Sequence, residues 1–224
     1  MTQPPKNSPE FPGPQACRRL AGLFLAVNFL LLSLHNFLPV LCLPGTHWNW
    51  SGKILAIAFS CALLAWSPWL RQNAGLRWRQ SPGSIPLSLL CFFVCVGEGL
   101  SSRFRASPMT LSSDTLFFQL LMPTLDEELS FRGIALALLE RGHGQSPVSC
   151  RLRYGRAAFI LALVFGLMHA ISFEQGHLGF NLLNFADIFI FASMVTVVRT
   201  RSGSLLWPML CHSAWNVAFF LPWP

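Results

Sequence analysis

Residues 122–139 have the sequence MPTLDEELSFRGIALALL, an apolar stretch with charged side chains at Asp126, Glu127, Glu128 and Arg132. A charge at the centre of a membrane-spanning helix costs at least ~2.5–3.5 kcal/mol on insertion scales, so such residues usually pair or serve a function. On a helix, Glu128 and Arg132 share a face, which predicts an ion pair. Glu127 points about 100° away and is predicted to face a cavity, where a carboxylate can serve as a general base. The alternative is a purely structural polar contact where helices cross.

The rest of the chain has the composition of a membrane protein. Of its 224 residues, 53% are hydrophobic and 11% are charged, whereas soluble domains carry about 25% charged residues. The net charge is +7, but the basic residues occur in short clusters between apolar runs, as in proteins that cross a bilayer. We therefore expect the lipid bilayer as a partner and no nucleic acid. The seven cysteines include no CxxC pair, so they are predicted to be buried hydrophobic residues.

The apolar segments predict the fold class, which is an all-α, polytopic transmembrane helical bundle with about seven transmembrane helices. Several segments are near the lower limit of ~17 residues for a spanning helix. Residues 1–19 are predicted to form a disordered cytoplasmic tail, because Pro and polar residues dominate there. Residues 20–110 are predicted to contain the N-terminal transmembrane helices. The apolar segments are 20–43, 54–70, 85–100, 115–140, 157–173, 181–198 and 204–221.

The basic residues predict the orientation of the chain in the membrane. If the N-terminus is cytoplasmic and all segments cross, twelve basic residues face the cytoplasm, while only Lys53, Arg103 and Arg105 face outward. This distribution obeys the positive-inside rule. We therefore predict a cytoplasmic N-terminus, a cytoplasmic 141–156 loop and an external C-terminus.

Two later apolar segments carry isolated polar residues. His169 lies deep in AAFILALVFGLMHAISF, and His212 and Asn216 share one helix face in SLLWPMLCHSAWNVAFF. A lone histidine on an apolar helix is often only a packing residue. However, each of these groups needs a hydrogen-bond partner in a place without water. Convergence with the acidic cluster on one cavity satisfies them together, and such a cavity is typical of an active site.

Asn184 and Asp187 form a further polar pair. They lie three residues apart in LLNFADIF and can line one helix face. They are candidates for a supporting role around the site, and the alternative is an ordinary hydrogen bond between helices.

Three ordered motifs resemble the signatures of the CPBP family, which includes the CAAX prenyl endopeptidases of the Ras-converting type and the bacterial Abi proteins. EELSFRG (127–133) resembles the first signature, EExxxR, and FGLMH (165–169) is similar to the second, FxxxH. RTRSGSLLWPMLCHSAWN (199–216) is similar to the third, HxxxN. The resemblance covers about half of the chain and implies that residues 111–224 form a catalytic transmembrane core.

The resemblance implies an intramembrane glutamic endopeptidase without a cofactor or metal. It implies that Glu127, assisted by His169, activates the attacking water. His212 and Asn216 would stabilise the oxyanion of the tetrahedral intermediate. The ion pair described above would keep the first helix in register and tune Glu127, and Arg132 could alternatively contact a substrate carboxylate.

The residues themselves leave two other classes of function open. Glu127, His169 and His212 make a two-histidine, one-carboxylate set of the kind that binds catalytic zinc or iron, so one alternative is a metal-dependent membrane protease. The other is a non-enzymatic membrane protein, such as an immunity protein, a scaffold or a proton-coupled carrier, since intramembrane acids and histidines occur in proton relays.

The resemblance also implies the class of substrate, a protein or peptide with a lipid-bearing or membrane-anchored C-terminal end. We predict that the chain is an integral protein of a bacterial inner membrane. In a bacterium, C-terminal sorting anchors or exported peptides are better candidates than prenylated CAAX sequences.

Overall fold

The helices follow the predicted apolar segments. A computed structural model describes residues 12–37, 47–105, 112–144, 147–149, 154–174 and 177–221. Where the structure describes them, the predicted segments fall mainly on helices, and residues 38–43 of the first segment lie outside the described residues. The segments 54–70 and 115–140 each fall on two helices, which in the second segment are joined by a π-helical turn. The elements are α1 (Pro14–Phe37), α2 (Trp50–Trp66), α3 (Pro68–Asn73), α4 (Ile85–Arg105), α5 (Ser113–Glu127), the π-helical turn (Glu128–Ala135), α6 (Leu136–His143), β1 (Pro147–Ser149), β2 (Tyr154–Gly155), α7 (Arg156–Ala170), β3 (Ile171–Glu174), β4 (His177–Phe180), α8 (Leu182–Ser202) and α9 (Leu206–Phe220).

The first helix begins within the predicted tail. Residues 1–11 lie outside the described residues, but α1 already starts at Pro14. Proline suits the first position of a helix, because its missing N–H would have no partner there and its φ is already helical. Cys17, Ala21 and Phe24 are buried and repeat at helical spacing, so this first turn packs on the bundle.

The described residues are mostly helical, as predicted, and two short antiparallel hairpins connect some of the helices. β1 pairs with β2, and β3 pairs with β4. The predicted helix 157–173 ends at Ala170, and Ile171 is already extended, with φ −89° and ψ 126°. Ile171 and Phe173 belong to residue types enriched in strands, and they pair with Phe180 and Leu178 of β4.

The number of membrane crossings is established only in part. Among the described residues, the helices long and apolar enough to cross a membrane are Pro14–Leu34, Ile85–Arg103 and Leu182–Ser202. Trp50–Trp66 and Arg156–Ala170 are shorter apolar helices. The protein is thus a mostly helical integral membrane protein, and the count of seven crossings stays a prediction.

The stretch that opened the sequence analysis is the central element of the bundle. Every residue from Glu128 to Leu139 is buried. The π-helical turn packs against α1, α2 and α9, and α6 packs against α1 and α7. Around this centre, α4 packs on α9 and α7 on α8. The most charged apolar segment is therefore surrounded by protein, so its charges are kept away from lipid.

Arginine side chains connect the helix ends at one end of the bundle. Arg18 donates to a carbonyl in the last turn of α6. Arg77 Nε donates to Gly203 O at 2.7 Å, and Arg199 Nη2 donates to the last carbonyl of α3 at 2.9 Å. Gly203 has φ +72°, a conformation that glycine adopts at little cost. A Cβ at this position would also overlap the Arg77 guanidinium.

Tryptophans connect α2 and α5 at the opposite end. Trp50 Nε1 donates to Asp114 Oδ1 at 2.9 Å, and Trp48 Nε1 donates to Thr115 Oγ1 at 3.2 Å. Indole rings favour the headgroup layer of a bilayer. An arginine-rich end is what the positive-inside rule leads us to expect of a membrane protein, and tryptophans near the helix ends fit the aromatic belt.

We predict that the arginine-rich end is cytoplasmic. Reporter domains fused to the N-terminus or inserted near Gly144 should report the cytoplasm, and a C-terminal fusion should report the opposite side. Cysteine-labelling of single-cysteine variants in intact cells provides an independent check. If both termini lie on the same side, the number of crossings is even and the seven-helix topology is wrong.

Candidate active site

Glu128 is the centre of the candidate site. Its side chain is fully buried. Its Oε1 accepts hydrogen bonds from Arg132 Nη1 at 3.0 Å and from His212 Nδ1 at 2.7 Å. The predicted ion pair of Glu128 and Arg132 is therefore confirmed. Because the same oxygen also binds His212, Glu128 joins the acidic motif to α9, a role that the sequence did not indicate.

The ion pair lies in the π-helical turn. This turn begins at Glu128 and includes Arg132. A π-helix is wound more widely than an α-helix, and single π turns inside α-helices occur frequently at functional sites. The sequence predicted a single helical segment over 115–140, and the chain is helical throughout it. The change from α to π winding at Glu128 was not indicated by the sequence.

Arg132 is buried with its partner and has two further contacts. Its Nη2 donates to Ala192 O at 3.5 Å. Its guanidinium lies 4.4 Å from the centre of the Phe165 ring, a cation–π contact that gains strength when it is desolvated. Arg132 therefore binds α7 and α8 while it neutralises Glu128.

His212 lies between the two adjacent glutamates. Glu128 has buried ion-pair partners and acts as the acceptor, so Nδ1 of His212 carries the proton in this 2.7 Å bond. The other ring nitrogen, Nε2, is 3.9 Å from Oε2 of Glu127. That separation is too long for a direct hydrogen bond. Nε2 of His212 and Oε2 of Glu127 thus face each other across this gap.

His169 has the same tautomer but a different partner. Its Nδ1 is 2.8 Å from Phe165 O, and because a carbonyl can only accept, Nδ1 carries the proton. In neutral His169 the Nε2 lone pair is therefore available as a base. The ring also packs on Phe165 with 4.5 Å between centroids.

Phe165 explains why the second motif begins with an aromatic residue. Its ring contacts Arg132 from one side and His169 from another, and it lies edge-on to His212 at 6.4 Å between centroids. Phe131 packs on it edge to face at 5.0 Å. One rigid side chain thus sets the spacing of the cation and both histidines.

Glu127 is not free, contrary to the expectation from its helix face alone. Lys53 Nζ lies 2.7 Å from Glu127 Oε1 and 2.9 Å from Asp126 Oδ2. The orientation analysis counted Lys53 among outward-facing charges, whereas its side chain extends into the bundle and is almost buried. The signal for this contact in the sequence is a single lysine, three residues after Trp50, on an otherwise apolar helix.

Asp126 belongs to a buried polar network that reaches α1. Asn28 Nδ2 donates to Asp126 Oδ1 at 3.4 Å and to Ser130 Oγ at 3.0 Å. Ser130 Oγ is also 3.3 Å from Ser60 Oγ of α2. Asn28, Ser60 and Ser130 are buried, so the first two helices satisfy the polar groups on the outer face of the acidic motif.

Asn216 is buried on α9 one turn after His212. Its Nδ2 donates to Gln119 O at 3.2 Å. In a regular α-helix this carbonyl would accept from residue 123, but Pro123 has no N–H. The proline in α5 therefore exposes an acceptor that Asn216 satisfies. This bond uses one of the two N–H donors of the amide.

Asn184 supports the helix that carries His169. Its Nδ2 donates to His169 O at 2.6 Å. This carbonyl has no helical partner, because α7 ends at Ala170 and the chain continues as β3. Asp187 lies one turn further along α8 and is half-buried.

The site thus gathers groups from five helical elements. The π-helical turn contributes Glu128 and Arg132, and α9 contributes His212, which is bonded to Glu128. His169 comes from α7, Lys53 from α2 and Glu127 from α5. Within the described ranges, no group of three or more His, Cys, Asp or Glu side chains is arranged to hold a metal ion. The set of Glu127, His169 and His212 considered above as ligands also has the Lys53 ammonium on its carboxylate, and that positive charge opposes a divalent cation there.

This geometry defines an integral membrane protein with a buried Glu–Glu–Arg motif, one histidine on α7, and a histidine and an asparagine together on α9. The profile of the family described as "Type II CAAX prenyl endopeptidase Rce1-like" matches residues 111–218. That part of the chain belongs to the Rce1-like family, a family of proteases, and the resemblance to the CPBP family is confirmed. The match includes all three motifs.

A curated relative from Escherichia coli, an "Uncharacterized 24.3 kDa protein", is 33% identical over 98 residues. The aligned region is 44% of this chain and 39% of that protein, so the chain spans about two fifths of the relative's length. No solved structure matches the chain significantly.

We expect Arg132→Ala to destabilise the protein strongly. Removal of one partner from a buried pair leaves an uncompensated charge and typically costs about 3–5 kcal/mol. Here the π-helical turn would also lose its cation–π contact with Phe165. Thermal unfolding in detergent measures the effect.

Arg141→Ala is the matched control, because Arg141 is an exposed arginine in the same helical stretch. Its contacts include a bond to Pro12 O and the Trp69 ring, and because they lie at the surface their loss should cost much less. The double variant Glu128→Met, Arg132→Met should recover part of the lost stability, since an apolar pair can replace a buried ion pair, while His212 Nδ1 loses its acceptor. An unchanged unfolding midpoint in Arg132→Ala would contradict the stabilising role of this pair.

Proposed function

We propose that the protein is an intramembrane glutamic endopeptidase that hydrolyses a peptide bond near the membrane-associated C-terminal end of its substrate. Membership of residues 111–218 in a CAAX-protease family supports peptide hydrolysis. The observation that carries the mechanism is the pair of atoms that face each other, Oε2 of Glu127 and Nε2 of His212, 3.9 Å apart. The opposite atom of each group is bonded to protein, so both are oriented before substrate binds.

In the proposed reaction, Glu127 is the general base. Oε2 takes a proton from water while the water oxygen attacks the peptide carbonyl carbon, and the carbonyl electron pair moves onto its oxygen. His169 assists through its Nε2 lone pair, which its bond to Phe165 O leaves available. The tetrahedral intermediate then collapses: the C–N bond breaks, and the proton held by Glu127 passes to the leaving amine.

In the same proposal, His212 stabilises the oxyanion. Since Nδ1–H is already donated to Glu128, only an imidazolium can also donate from Nε2. Glu128 is suited to support that form, because a carboxylate can compensate a positive charge whereas the carbonyl beside His169 cannot. Donors of this kind are worth ~10²–10³ in rate. Asn216 is the second proposed donor.

We further propose that no metal takes part. The contact between Lys53 and Glu127 supports this proposal. The ammonium binds one carboxylate oxygen, and its positive charge opposes a metal cation there. The substrate is proposed to be a membrane-anchored or lipid-bearing protein or peptide, and a bacterial inner membrane is the proposed location.

We expect Glu127→Gln to lower kcat at least ~10²-fold, because the amide preserves shape but cannot accept the proton. Glu127→Asp should also be largely inactive, since its carboxylate retreats by one methylene. His169→Ala and His212→Ala should be comparably severe. The purified enzyme in proteoliposomes is tested on three quenched fluorescent peptides, which carry near the C-terminus a farnesylated cysteine, a fatty-acylated residue or an apolar helix.

Glu140→Gln is the control for this series, because Glu140 lies in α6 beyond the motif and outside the proposed chemistry. Full activity of Glu127→Gln, or cleavage of none of the three peptides by the wild type, would refute the proposal. Chelators should leave activity intact. Inactivation by a chelator with recovery on added zinc would instead favour the metal-dependent alternative.

Asn216 and Ser213 allow the oxyanion role to be separated from helix packing. Both lie on α9 and donate to carbonyls of α5, Asn216 to Gln119 and Ser213 to Leu120 at 2.8 Å. We expect Ser213→Ala and Asn216→Ala to lose similar stability, but only Asn216→Ala to lose ~10²–10³ in kcat. Equal activity of the two variants would assign Asn216 a purely structural role.

A further inference from the structure

Lys53 lies on α2, outside the residues that match the Rce1-like family, yet its ammonium contacts the proposed base. Its Nζ is 2.7 Å from Glu127 Oε1 and 2.9 Å from Asp126 Oδ2. The side chains of Lys53 and Glu127 are only 11% and 14% exposed. These are charge-assisted bonds in a poorly solvated place, where they are stronger than bonds at a surface.

Lys53 lies between two acidic residues, and its positive charge compensates both of them. Asp126 and Glu127 are adjacent carboxylates, and two buried like charges repel each other. One ammonium between them offsets that repulsion. Asn28 of α1 donates to the other oxygen of Asp126, so Asp126 is oriented by α1 and in turn orients Lys53. The result is a chain of contacts from α1 through Asp126 and Lys53 to Glu127.

The contact also distinguishes the two oxygens of Glu127. Oε1 accepts from Lys53, while Oε2 is the atom directed at His212 Nε2. A carboxylate rotates about its terminal torsion, so without a bond at Oε1 its plane could turn and neither oxygen would stay directed at His212. With the ammonium on Oε1, one oxygen is anchored and the other stays directed at the reacting atoms.

We propose that Lys53 is a positioning residue for hydrolysis, which keeps Glu127 ionised and directs its Oε2 at the water. This inference rests on the proposed function. It gives the N-terminal half of the chain a part in the reaction, because α2 supplies the counter-ion and α1 orients it through Asp126. Residues 111–218 alone would then lack a component of the site.

The first experiment measures kcat and KM of the full-length chain in proteoliposomes on the three quenched peptides described above. We expect Lys53→Met to lower kcat about 10²-fold with KM within about twofold, because Lys53 contacts the base and not the substrate. Lys53→Arg should recover at least a tenth of wild-type kcat, since it keeps the charge. Lys6→Met, which removes the other lysine of the chain, should match wild type.

A second experiment tests the charge of Glu127 without relying on activity. Dicyclohexylcarbodiimide enters apolar regions and adds to a protonated carboxylic acid, giving an N-acylurea that mass spectrometry locates. We expect the peptide with Asp126 and Glu127 to stay unmodified in wild type and Lys53→Arg, and to be modified in Lys53→Met. Adding Glu127→Gln to Lys53→Met should remove the adduct at position 127.

Lys53→Met combined with Asp126→Asn covers the possibility that the single variant does not fold, because the pair removes one charge of each sign. This double variant should retain the wild-type unfolding midpoint more nearly, yet show the same loss of kcat and the same adduct at Glu127. Wild-type kcat together with unmodified carboxylates in a folded Lys53→Met protein would overturn the inference. If no peptide is cleaved even by wild type, the proposed function fails, and the carbodiimide result still decides whether Lys53 keeps Glu127 ionised.

Discussion

The carboxylate of Glu128 is fully buried, and the arrangement of the bundle follows from the need to compensate its charge. An ionised group among apolar helices is tolerated only with close partners. Glu128 has two, Arg132 in its own turn and His212 on α9. Arg132 in turn packs on Phe165 of α7, whose backbone and ring orient His169. One buried charge thereby connects the three helices that carry the family motifs.

The same constraint acts a second time on the neighbouring residues of the acidic motif. Asp126 and Glu127 are compensated by Lys53, and Asp126 also by Asn28. These partners come from α2 and α1, so the N-terminal helices do more than surround the core. Since apolar side chains gain little from contact with each other rather than with lipid, interhelical polar contacts contribute to how membrane helices pair. The acidic motif thus pairs with α1 and α2 through Asp126, with α2 through Glu127 and with α9 through Glu128.

What the sequence predicted correctly was local. The apolar segments follow from composition, and the ion pair of Glu128 and Arg132 follows from spacing along one helix. What it missed depends on contacts between residues far apart in the chain. Lys53 meets Glu127 across 74 positions and His212 meets Glu128 across 84, and no periodicity encodes either contact. The start of β3 was missed because Ile171, Ser172 and Phe173 continue the apolar run of the helix before it. Recognition of the three motifs supplied the family, but not the partner of each side chain.

The position of His212 shows how such distant contacts combine. His212 binds Glu128 only if α9 has the correct rotation about its axis. Two hydrogen bonds from the same helix to α5 stabilise that rotation. Ser213 donates to Leu120 O, and Asn216 donates to Gln119 O. The second of these acceptors is available because Pro123 cannot donate to it. A proline that weakens α5 therefore provides a point of attachment for α9. In this way, a hydrogen bond missing from α5 at Pro123, one turn before the acidic motif, helps to orient His212 on α9.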